Sequence, residues 1–139
     1  MQDLLIQLRA MQLFYHSCHN LVGRQSFFAD HEAFGEFYGA LEGEYDSVAE
    51  RMIGQDKVSE LHLPTLMGKV AAKVQGLPSI EVKENIDFFK AALSLEQQMQ
   101  AIGTNVMKMG ATEGTKNLIA QILDNSEVRV YKIKQRIKK

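Results

Sequence analysis

The run from Ser26 to Gly54 most constrains what this chain can become. Phe34, Phe37, Tyr38, Leu41, Tyr45, Val48 and Met52 recur at three- and four-residue steps. At about 100° per residue they fall in one broad stripe, as on a helix with one buried face. Ser26 is placed to cap its N-terminus, and no proline interrupts it. A rod of this length rises about 1.5 Å per residue and has to be covered by other elements of similar length. That points to an all-α architecture.

The rest of the chain agrees. A first helix is expected from about Asp3 to Leu21, with Leu4, Leu8, Met11, Tyr15, Cys18 and Val22 inward and Gly23 as its stop. A third is expected from roughly Val82 to Met109, carrying Ile86, Phe89, Leu93, Met99, Ile102, Val106 and Met109 on its stripe, and Gly110 ends it. A fourth follows the cap Thr112, with Leu118, Ile119, Ile122, Val130, Ile133 and Ile137 inward. Residues 55–80 form a long connection in which Pro64 starts a short helix over Thr65–Val74, broken by Gly76-Leu77-Pro78. The reading is a single domain, 1–139, and a ferritin-like four-helix bundle with a long crossover carrying a short helix. The 139 residues suffice for a core without staples, and the lone Cys18 excludes an internal disulfide. Absence of a signal-like N-terminus and of a long apolar run predicts a cytoplasmic protein with no membrane partner.

Charge is unevenly spread. Between Asp30 and Glu60 nine acids face only Arg51 and Lys57, a balance of −7, whereas Arg129–Lys139 holds six bases and no acid. The middle suits cations and the end suits anions or solvent. Arg51 is expected to pair with Glu44 or Asp56. On the second helix Gly35, Gly39 and Gly43 share a face with Asp46 and Glu50, away from the core stripe. Each glycine costs a helix about 1 kcal/mol relative to alanine, so close approach of a second copy of the chain is the favoured explanation, and relief of crowding against a helix of the same chain the alternative.

The candidate metal ligands are His19, His31, Asp46 and Glu50, a nitrogen and oxygen set suited to borderline divalent ions. No glutamate lies three residues before any of the four histidines, so the paired Glu-x-x-His motifs of intrachain di-iron bundles are missing. His31 and Asp46 lie on the order of 22 Å apart along one rod and cannot share an ion within one chain. An antiparallel partner on the glycine face brings the histidines of one subunit to the carboxylates of the other. His16, one turn before His19, and His62, in the connection, are read as surface or loop residues, and Cys18 as a small core residue.

His19, then Phe27-Phe28 followed by Asp30-His31-Glu32, then Asp46-Ser47-Val48-Ala49-Glu50-Arg51, resemble the Dps-like mini-ferritins, the DNA-protecting branch of the ferritin superfamily, with intervals matching over about 33 residues. Outside that stretch the likeness reduces to Pro64-Thr65-Leu66 and the shape of the last two helices. The resemblance implies a homo-oligomer, a hollow dodecamer, in which His19, His31, Asp46 and Glu50 form a ferroxidase centre across a two-fold interface. Iron(II) is oxidised there, with hydrogen peroxide preferred, and stored as ferric mineral against oxidative stress. Zinc is the substitute ion. Glu32 and Glu36 match cavity positions that nucleate mineral. Three departures stand out: Asn20 replaces the usual tryptophan in a chain that has none, leaving Tyr15, Tyr38 and Tyr45 to capture stray oxidising equivalents; the pore segment Thr112–Asn117 has one acid beside a lysine; and the basic N-terminal tail of some members is missing. DNA is a less favoured partner, through the basic C-terminus, with nucleoid association following from it. A non-catalytic shell or DNA-packaging protein of the same fold is the competing reading, and a monomeric zinc-binding bundle a third.

Overall fold

A computed structural model describes residues 1–78 and 84–139. Among the described residues every regular element is helical: α1 (Gln2–Leu21), α2 (Phe27–Gly54), a 3-10 turn (Val58–Leu61), α3 (Leu63–Val74), α4 (Asn85–Lys108) and α5 (Glu113–Ile137). α1 packs against α2, α3 and α4, and α5 packs against α4 and α2. The core therefore lies among the four long helices, with α3 laid against α1. Among the described residues no helix is long and apolar enough to cross a membrane.

The stripes face the core, although Leu93, Ile102, Leu118, Val130 and Ile137 are only partly buried. Leu4, Leu8, Met11, Tyr15, Cys18 and Val22 are all buried, as are Phe34, Phe37, Leu41, Val48 and Met52 of α2. Ile119, Ile122 and Ile133 anchor α5, and Leu66 and Val70 dock α3. Met109 departs from expectation: it lies beyond the last turn of α4 and is 81% exposed. The predicted start of the third long helix at Val82 lies outside the described residues, and α4 begins at Asn85.

Helix ends depend on local chemistry. Thr112 caps α5 as expected, its hydroxyl accepting from the Thr115 amide. Ser26 occupies the N-cap of α2, but its hydroxyl donates to Asp30 at 2.7 Å instead of accepting from the helix. Gly23 is not the left-handed residue after α1. Arg24 is, at φ 66°, following an extended Val22 that ends the helix. The turn that reverses the chain is thus carried by a residue with a side chain, and it aims α2 back along α1.

Candidate metal centre

The α1–α2 reversal places His19, in the last turn of α1, opposite His31, in the second turn of α2. The two imidazoles stack with centroids 3.6 Å apart and planes 25° from parallel. His19 Nδ1 lies 2.8 Å from the His31 carbonyl oxygen, and His31 Nδ1 lies 2.7 Å from that of His19. A carbonyl only accepts, so each Nδ1 donates its proton, and in the neutral form of either ring the lone pair is on Nε2. This is the arrangement that orients histidines as ligands, with the non-ligating nitrogen held by a backbone oxygen. Lone pairs in two nearly parallel planes do not converge on one ion.

Aromatic rings continue the stack on both sides. Phe27 stacks on His31 at 4.9 Å, Tyr38 meets His19 edge-on at 5.3 Å, and exposed His16 stacks on Tyr38 at 4.3 Å. Gly35 lets α2 approach this column: a Cβ there would lie 3.1 Å from His19 Nδ1. Gly39 and Gly43 have nothing within 4 Å of the corresponding position, so their face of α2 is open in the single chain.

Asp46 and Glu50 are one turn apart on α2, exposed, and without an ion pair among the described residues. Along the unbroken helix Asp46 lies on the order of 22 Å from His31 and Glu50 on the order of 28 Å, so α2 does not bring His31 and these carboxylates together. Among the described residues no group of three or more His, Cys, Asp or Glu side chains is placed to hold a metal ion. Glu50 borders a cleft of about 530 Å³ with Ser47, Arg51, Gly54, Gln55 and Leu118. Arg51 does not pair with Glu44 or Asp56. Its Nη1 lies 2.9 Å from where a Gly114 Cβ would be, so the missing side chain at the start of α5 makes room for the guanidinium.

Glu44 instead belongs to a buried network that sequence spacing did not reveal. Arg129 Nε donates to Glu96 at 2.7 Å and Arg129 Nη1 to Glu44 at 2.9 Å. Tyr15 donates to Glu96 at 2.8 Å, Ser126 donates to Glu96 at 2.7 Å, and Asn125 donates to Glu44 at 3.1 Å. One cluster thus joins α1, α2, α4 and α5. Burial opposes the Arg129 charge, but the two carboxylates outweigh it and raise its pKa. Burial, then the neighbouring Glu96, raise that of Tyr15. The legible signal was a charged residue at stripe spacing: Glu96 lies three residues from both Leu93 and Met99, and Arg129 four before Ile133.

The C-terminal bases are likewise divided. Arg136 Nε donates to buried Asp30 at 2.9 Å, and Ser26 and Asn85 also donate to that carboxylate. Lys132 lies 3.6 Å from Glu36, both largely exposed, while Glu32 is exposed and unpaired among the described residues. Lys134, Lys138 and Lys139 remain exposed, so the expectation of a segment built wholly for anions or solvent fails for Arg129 and Arg136. Compared with known proteins, the chain matches no family model and no curated protein.

Proposed function

We propose that this chain is the subunit of a Dps-like mini-ferritin, a ferritin-like four-helix bundle whose crossover carries α3. In this reading it oxidises iron(II) with hydrogen peroxide at centres between subunits and stores the ferric product in a hollow homo-oligomer, a dodecamer in the family it resembles. The observation that carries the reading is the His19–His31 pair, with both Nδ1 protons held by backbone oxygens and both Nε2 lone pairs left for metal.

The open glycine face supplies the second support. Gly39 and Gly43 leave α2 unobstructed beside exposed Asp46 and Glu50. An antiparallel second copy seated there carries its carboxylates to the histidines of the first. Imidazole and carboxylate hold ferrous ions while leaving coordination positions free for peroxide. Two ferrous ions deliver both electrons that peroxide needs, so no hydroxyl radical is released. Iron is substrate and cargo here, and zinc the competing occupant. Glu32 and Glu36 are the proposed nucleation residues, Glu36 after release from Lys132.

Anaerobic loading with ferrous ion followed by peroxide tests the reading. Ferric absorbance in the near ultraviolet should rise faster than in Glu50→Ala, and sedimentation should give a particle many times the 15.7 kDa chain. Equal rates defeat the ferroxidase, and a monomer that oxidises iron defeats the shared site.

A further inference from the structure

We propose that Phe28 and Ile53 set the register in which a second copy of this chain docks on α2, Phe28 of each copy meeting the partner's Ile53. The inference rests on the shared site proposed above and names the residues that align its two halves.

α2 is one unbroken helix from Phe27 to Gly54, and its exposed large apolar side chains are Phe28, 83% exposed, and Ile53, 50% exposed. At about 100° per residue, Phe28, Gly35, Gly39, Asp46, Glu50 and Ile53 fall within an arc of roughly 60°, with His31 at its edge. Phe28 and Ile53 therefore stand at opposite ends of the face that carries open Gly39 and the exposed carboxylates. An exposed apolar side chain by itself needs no partner. The spacing of these two is what singles them out.

The face is symmetric about the peptide bond between Ala40 and Leu41. Phe28 stands twelve residues before Ala40 and Ile53 twelve after Leu41, while His31 and Glu50 stand nine residues out and Gly35 and Asp46 five. A two-fold axis through that point makes a contact in which residue i meets residue j and j meets i. It sets Phe28 against the partner's Ile53, His31 against the partner's Glu50 and Gly35 against the partner's Asp46. The His19 ring covers Gly35, its Nδ1 3.1 Å from where a Cβ would be, so the partner's Asp46 arrives at His19. One register thus joins the apolar ends and gives each histidine a carboxylate. A slip of three residues in one direction sets Phe28 against the partner's Glu50, and a slip of four in the other sets Ile53 against the partner's Glu32. Either slip presses a charge onto an apolar side chain.

Side-chain size follows the same order. Two crossing helices approach most closely where they cross and diverge towards their ends. Gly39 and Gly43 lie beside the axis, whereas Phe28 and Ile53 lie about 19 Å along the helix from it, where large side chains span the wider gap.

The test reverses the contact in the full chain. Phe28→Glu and Ile53→Lys place an acid in the first turn of α2 and a base in its last, where the helix dipole favours each, so the thermal transition of the single chain should be kept. In sedimentation each single variant should dissociate at concentrations at least tenfold above those at which wild type does. The double variant, in which every new acid meets a new base, should regain the wild-type particle. Phe28→Glu combined with Tyr131→Lys, on the exposed side of α5, should stay dissociated. Single variants that assemble like wild type, or a double variant that recovers no better than the Tyr131 control, overturn the register. If a charged variant loses its thermal transition, Phe28→Ala and Ile53→Ala take its place, and losses of assembly that simply add in their double variant overturn the register. If the charge pair restores assembly while Glu50→Ala oxidises iron as fast as wild type, the register stands and the ferroxidase falls. If Glu50→Ala is slow and the charge pair restores nothing, the register falls and the ferroxidase stands. A monomeric wild type overturns both.

Discussion

A Cβ on Gly35 would come within 3.1 Å of His19 Nδ1, whereas Gly39, one turn along the same helix, faces open space. The glycines of α2 therefore do different work. Gly35→Ala should displace the His19 ring and weaken metal binding. Gly39→Leu should leave the single chain at least as stable, because removing an exposed helical glycine gains up to about 1 kcal/mol, while blocking assembly and ferroxidase activity together. Circular dichroism melts and sedimentation decide it: an assembled Gly39→Leu particle with full activity removes the glycine face from the interface.

His19→Phe preserves a ring opposite His31 but removes both the nitrogen proposed as a metal ligand and one reciprocal Nδ1 bond. Loss of the hydrogen bond should cost about 0.5–1.5 kcal/mol of stability, yet calorimetric ferrous or zinc affinity should fall at least tenfold. Unchanged affinity would mean the stack is a packing device only.

Arg129 pairs with two buried carboxylates, Glu44 and Glu96, and replacing it by methionine leaves both without their cation. Removing one partner of a buried ion pair typically costs about 3–5 kcal/mol, and urea denaturation should register a loss of that size. Adding Glu44→Gln and Glu96→Gln should recover part of it.

Burial alone would push the Asp30 carboxyl up, but donors from Arg136, Ser26 and Asn85 outweigh it and hold it below the usual carboxylate range. Its folded pKa lies below its unfolded value of about 3.9. The stability it contributes is therefore fully present above that pH and lost as pH falls through the folded pKa. Asp30→Asn should lower stability near neutrality and flatten this part of the acid limb in melts taken from pH 6 downward.

With Arg129 and Arg136 engaged internally and Lys132 beside Glu36, the exposed Lys134, Lys138 and Lys139 are the bases left for phosphates near the C-terminus. If DNA binds there, replacing all three by glutamine should weaken a gel shift and shallow its salt dependence by up to about 3 in slope. An unchanged shift places DNA binding elsewhere, and no shift in either protein removes it.

Periodicity alone located the long helices and most of their buried faces, because burying an apolar stripe is a property of each helix by itself. Leu41, Val48 and Met52 of α2 and Ile119, Ile122 and Ile133 of α5 were legible this way. The separation of His31 from Asp46 was equally legible, since helical rise is the same in every context. Tertiary structure decided what depends on a neighbour. Arg129 and Glu44 are 85 residues apart in sequence, so nothing local marks them as partners. Gly35 and Gly39 look alike in the sequence, and only the packing of α1 on α2 gives one of them His19 as a neighbour. The same packing brings His19 and His31 face to face. Spacing marks a histidine as a candidate ligand, but only the opposing backbone carbonyl fixes which nitrogen it offers.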